Sequence, residues 1–167
     1  MIEIITGSLL DSTDTYICHQ TNCVSTGSAA GIARVIFDKF PYADCYRDRL
    51  VADEPGTFEL RGDGNINRFV INLHGQYKPG GPNYPGTKDL KYNDTSEDRE
   101  HYFALCLAGL MSTENIKRGQ TLAFNWRIGC GIAGGNWERY TDMLNAASTL
   151  LVAKGVKVRV YKLASEK

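Results

Sequence analysis

No excess of either charge marks this chain. Its 19 basic and 19 acidic residues cancel over 167 positions, so no whole-molecule field draws it to nucleic acid or to an anionic membrane. No Lys/Arg cluster stands out to supply such a patch locally. Nowhere do about 18 apolar residues run together, and Met1-Ile2-Glu3-Ile4-Ile5 lacks the basic start and apolar core of a signal peptide. The expectation is a soluble, cytoplasmic protein with no membrane partner and no direct nucleic-acid partner. Cysteine is sparse and irregularly placed: Cys18, Cys23, Cys45, Cys106 and Cys130 form an odd set with no C-x-x-C pair. That spacing indicates neither a disulfide framework nor a zinc site, and the thiols read as reduced and mostly buried. No internal repeat is visible, and 43% hydrophobic against 23% charged residues is the balance of an ordinary folded protein. The length suits one domain, 1–167, since domains most often run about 100–150 residues.

What the chain does have is glycine in one place. Gly129-Cys130-Gly131-Ile132-Ala133-Gly134-Gly135-Asn136-Trp137 follows the apolar run Thr121 to Phe124 and precedes a stripe, Trp137, Tyr140, Leu144, Ala147 and Leu151, at helical spacing. This spells strand, glycine loop, helix. Such a loop turns several backbone N–H groups toward one point, which suits a phosphate.

A second stretch repeats the pattern. The strand-like Tyr16-Ile17-Cys18-His19 leads through Gln20-Thr21-Asn22 into the small-residue loop Ser25 to Ala30, and a helix opens near Gly31, carried by Ile32, Val35, Ile36 and Phe40 and stopped by Pro41. In open α/β sheets ligands sit beyond the carboxyl ends of the strands, where helix N-termini meet an anion. Two such loops grip a diphosphate from two sides.

The remaining pattern gives strands at 1–5, 57–60, 68–73 and 156–163, with Gly62-Asp63-Gly64-Asn65 turning a hairpin. It also gives a weak helical segment over 42–52 and a helix opened by Thr95-Ser96-Glu97-Asp98. From Gly75 to Asn93 no periodicity survives, and Tyr77, Tyr84 and Tyr92 there are candidates for covering a ligand. Strands alternating with helices predict a three-layer α/β/α sandwich with a mixed, mostly parallel sheet.

The residues His19-Gln20 with Asn22-Cys23, Gly31-Ile32-Ala33, Phe40-Pro41, Ile71-Asn72-Leu73 with Gly75-Gln76, and Ile128 to Gly135 with Trp137 resemble, in order and over nearly the whole chain, a macro domain. Within that family the chain looks most similar to the branch of the ADP-ribose 1''-phosphate phosphatase and the terminal ADP-ribose glycohydrolase, and to phage and bacterial members. The resemblance implies ADP-ribose or a derivative as ligand or substrate, ADP-ribosylated macromolecules as further partners, and no cofactor or metal.

By the same resemblance Gly31, Ile32 and Ala33 serve one phosphate, with Ser28 in their loop. Gly129, Cys130, Gly131, Ile132, Ala133 and Gly134 close over the diphosphate and distal ribose. Asn22 reaches the distal ribose hydroxyls, Ser8 and Leu9 lie near the adenine, and Asn125 ends the strand before the second loop. His19 and Asn22 are the catalytic candidates, His19 because an imidazole titrates near neutral pH; His74 is the other candidate base. Ser8 stands where many macro domains have an adenine-reading aspartate, and Ala133 where the glycohydrolase has its essential aspartate, which counts against that mechanism here. Three readings follow: a hydrolase removing a group from the distal ribose, phosphatase-like, a binding module without chemistry, or a structural or interaction domain with a vestigial cleft, which the two largely intact glycine loops disfavour. Trp137 reads as core, and Cys130 as a small filler.

Overall fold

The computed structural model describes residues 1–82 and 91–167. Its order is β1 (Glu3–Thr6), β2 (Tyr16–Asn22), α1 (Gly31–Lys39), β3 (Phe58–Arg61), β4 (Phe69–Gln76), α2 (Ser96–Ser112), β5 (Thr121–Asn125), α3 (Trp137–Ala153) and β6 (Lys157–Lys162). The six strands form one sheet, β1-β6-β5-β2-β4-β3, parallel everywhere except β3 against β4. The predicted mixed, mostly parallel sheet is therefore present.

Central position buries all seven residues of β2, the apolar Tyr16, Ile17 and Cys18 in the core and the polar His19, Gln20, Thr21 and Asn22 with hydrogen-bond partners. Successive residues point to opposite faces. Ile17, Val70 and Ala123 meet Ala33, Ile36 and Phe37 beneath α1. Cys18, Ile71, Leu122 and Phe124 meet Phe103, Leu107, Leu144 and Leu151 of α2 and α3 on the other face. These are the three layers.

Local chemistry sets the ends. Thr95 accepts from Asp98 N–H while the Asp98 carboxylate takes the Thr95 N–H, a reciprocal cap that opens α2. Asn136 caps α3 through Arg139 N–H. At α1 the cap position holds Ala30, which offers no side-chain acceptor; the consequence appears at the site.

Two expectations change. The segment 42–52 is not helical: after one 3-10 turn at Pro41–Ala43 it runs as turns. Asp44 Oδ1 takes the N–H groups of Tyr46 and Arg47 at 3.0 and 3.1 Å, a local bond that competes with helix. The irregular stretch also starts later than Gly75, because β4 continues through Gln76. Tyr84 lies outside the described residues. No helix among them is long and apolar enough to cross a membrane.

Candidate functional site

A cleft of about 840 Å³ opens beyond the carboxyl ends of β2 and β5. Its walls carry Ser8, Leu9, Asn22, Ser28, Gly31, Ile32, Ala33, Asn125, Gly129, Cys130, Gly131, Ile132 and Ala133. These are thirteen of the residues named from sequence, and the fold brings them together from three separate stretches.

The wall is rich in backbone donors. With no side chain capping α1, the N–H groups of Gly31, Ile32 and Ala33 have no acceptor among the described residues, as the first turn of a helix leaves them. In the second loop, Cys130 N–H is spent on Arg127 O at 2.8 Å, Gly134 N–H on Gly131 O at 3.0 Å and Gly135 N–H on Gly129 O at 3.0 Å. Those of Gly129, Gly131, Ile132 and Ala133 remain without an acceptor among the described residues. Gly134 itself is absent from the lining and turns its back to Pro82, whose Cδ stands 2.9 Å from where a Cβ would be. Only glycine fits at Gly129, where φ is +73° and a Cβ would stand 2.5 Å from the Tyr140 ring.

Each loop is held from behind by an arginine. Arg49 donates to Ser25 O at 2.8 Å and Asn22 O at 2.9 Å, and to Asp53 Oδ2 at 2.7 Å. Asn22 N–H in turn donates to the Tyr46 hydroxyl at 2.9 Å. Arg99 pairs through two bonds with Asp94, 3.1 and 2.7 Å, and donates to Gly80 O at 2.7 Å and Ala133 O at 3.0 Å. Asp94 also accepts from the N–H groups of Tyr77 and Lys78. Both arginines are long-range partners that no local pattern announces.

His19 does not reach the cleft, and this corrects the expectation drawn from its spacing. Three residues apart on a strand, His19 and Asn22 point to opposite faces. Asn22 lines the cleft, whereas His19 is fully buried under α1, with its ring edge on Phe37 at 5.2 Å. Asn72 Nδ2 donates to Ala43 O and Glu59 Oε1, so its Oδ1 accepts from His19 Nε2 at 2.6 Å. Burial lowers the imidazole pKa to about 4. It is neutral at pH 7 and positioned as structure.

His74 is equally enclosed, between Thr21 Oγ1 at 2.7 Å and Asp53 at 3.5 Å, and desolvation lowers its pKa as well. Cys130 lines the cleft, yet burial pushes its thiol up to about 12, so it is filler and not a nucleophile. Tyr77 and Tyr92 stand 5.3 Å apart, ring to ring, and neither lines the cleft. Trp137 packs on the core and meets Trp126 edge-on at 5.1 Å.

Gln20 and Glu166 line the cleft without a sequence signal for that role, whereas Arg127, just before the second loop, reads from sequence as a candidate for the pocket edge. Gln20 donates to Gln76 at 2.8 Å, and its own Oε1 is buried without a donor; Asn125 Oδ1 is buried without one too. Glu166 is the only carboxylate and Arg127 the only cation among the described lining residues. Glu166 Oε1 takes the Leu163 N–H at 2.9 Å, which holds the carboxylate at the end of the cleft near Leu10 and Leu163.

With that geometry in hand, comparison is informative. No protein-family model matches the chain, and no curated protein matches it. Solved structures do. The macrodomain of Mycobacterium tuberculosis DarG aligns over 96% of this chain and 97% of its own length with a TM-score of 0.69 at 20% identity. The macrodomain of Thermus aquaticus DarG aligns over 97% and 98%, TM-score 0.66, at 19% identity. A Trypanosoma brucei macrodomain in complex with ADP-ribose aligns over 97% of this chain and 63% of its own, TM-score 0.65, at 15% identity. The fold is that of a macrodomain.

Proposed function

We propose that the cleft binds ADP-ribose or a derivative of it. One observation carries the reading: two sets of unspent backbone N–H groups, three from α1 and four from the second loop, belong to residues that line one cavity. Such donors suit the two phosphates of a diphosphate, which a helix N-terminus and a glycine loop hold by partial charge. The diphosphate lies between Gly31, Ile32 and Ala33 on one side and Gly129, Gly131, Ile132 and Ala133 on the other.

The rest of the ligand follows the chemistry of the walls. Leu9, Leu10 and Leu163 take the flat apolar base, and Glu166 offers it an acceptor, a task for which Ser8 is poorly free because its Oγ takes Leu10 N–H at 3.2 Å. Asn22, on the wall at the end of β2, takes the distal ribose hydroxyls. A neighbour solved with ADP-ribose supports this choice of ligand.

A second reading adds hydrolysis at the distal ribose, as an ADP-ribose 1''-phosphate phosphatase would perform it. It is favoured by the surplus of donors, which stabilise charge developing on a transferred phosphoryl group. Asn22 positions the ribose; His19 and His74 take no part. Calorimetry with ADP-ribose tests binding, and no heat at millimolar concentrations sinks both readings. Phosphate release from ADP-ribose 1''-phosphate separates enzyme from binder, and an Asn22→Ala protein that turned over unchanged would remove Asn22 from the chemistry.

A further inference from the structure

Arg127 occupies a backbone conformation that arginine has no intrinsic reason to choose. Its φ is +60°, and it is the one residue other than glycine with positive φ among the described residues, the other ten being glycines. It stands third in a turn closed by Ile128 N–H to Asn125 O at 3.2 Å, a place where positive φ favours Gly or Asn. A left-handed residue bearing a Cβ is strained, and strain held at a ligand cleft invites a functional cause.

The side chain supplies one. Among the described residues the Arg127 guanidinium makes no hydrogen bond and no ion pair, and the residue is exposed at the cleft wall. The neighbouring Trp126 ring already carries Lys162 at 4.3 Å, so no structural partner there calls for Arg127. It is the single cation among the described residues that line the cleft, whose other donors are neutral.

We infer that Arg127 is the phosphate-pairing side chain of this cleft, closing an ion pair with the ligand's diphosphate while the two loops hold it by backbone donors. The inference rests on the diphosphate reading above and adds to it a full charge, which loops alone lack. A guanidinium presents a fork matched to phosphate oxygens. The strained backbone is then what sets Arg127 on the cleft wall.

The variant that separates cause from cost is Arg127→Gly, because glycine adopts φ +60° freely and carries no charge. We expect its melting temperature to rise by about 2–4 °C, as relieved strain would give in a chain of this size. ADP-ribose affinity falls about tenfold at low salt, and less at high salt, since the parent's ion pair is already screened there. Arg127→Lys keeps most of the affinity and its salt dependence. An Arg127→Gly protein that binds ADP-ribose like the parent, or loses affinity equally at low and high salt, overturns the inference; so does a melting temperature that fails to rise. A parent protein that binds neither ADP-ribose nor ADP overturns the diphosphate reading, and this inference with it. Parent binding with unchanged Arg127→Gly binding overturns this inference alone.

Discussion

The two loops of the cleft reach similar ends by different means. The first is held by side chains: Asn22 Oδ1 takes the N–H groups of Val24 and Ser25 at 3.0 and 2.8 Å, and Arg49 clamps the carbonyls behind. The second is held by its own backbone, glycine against glycine, with one clamp from Arg99 to Ala133 O. The clamps differ in burial, for Asp53 has a side chain 39% exposed while that of Asp94 is wholly buried. Water can therefore replace Arg49 as a partner for Asp53, but cannot replace Arg99 for Asp94. The loop with fewer side-chain contacts is the one whose anchor tolerates less.

That contrast sets the largest expected effect. Arg99→Met strands the Asp94 carboxylate and the Gly80 and Ala133 carbonyls, and should cost about 3–5 kcal/mol of stability by denaturant unfolding. Arg49→Met should cost much less, and equal losses would break the comparison.

Acid probes the first loop's side of the sheet, where both buried histidines lie. His19 has a folded pKa of about 4 against 6.5 unfolded, so protonation favours the unfolded chain. Its contribution is full above pH 6.5 and falls by about 1.4 kcal/mol per pH unit down to pH 4, about 3 kcal/mol in all. His74, also lowered, adds in the same direction. Unfolding followed across that window in the parent and in His19→Gln should show a shallower acid loss in the variant.

Glycine substitution probes the second loop. Gly135→Ala would put a Cβ 2.5 Å from Gly129 O and 2.8 Å from the Tyr140 ring, at a cost of about 2–3 kcal/mol. A drop in ADP-ribose affinity should accompany it, and a structure showing the loop unmoved would contradict the account. The smallest effect belongs to the Arg49 clamp: Arg49→Met should lower stability by about 1–2 kcal/mol, with a measurable loss of ADP-ribose affinity through the displaced Asn22 and Ser25.

The layers, the hairpin and both loops were legible in the sequence because each rests on local patterning: short apolar runs for strands, Gly62-Asp63-Gly64-Asn65 between β3 and β4, Thr95 before α2. Most of the site was legible for the same reason, since a loop's backbone donors travel with its glycines. What stayed hidden depends on distance through space. Arg49, Arg99, Gln20 and Glu166 matter through partners brought near by folding, and Asp44 diverted 42–52 from helix through a bond no periodicity reports. His19 has the chemistry of a catalytic base but the wrong parity: an odd spacing from Asn22 on one strand puts the two on opposite faces.

The contact between the loops bears on how the cleft is entered. Ile132, 66% exposed, spans toward α1, and a side chain begun at Gly31 would meet its Cδ1 at 3.8 Å. Among the described residues the two loops thus approach each other here through the tip of one isoleucine. Exposed rotamers turn within nanoseconds, so the gap between the loops at that point widens and narrows with the rotation of the Ile132 side chain.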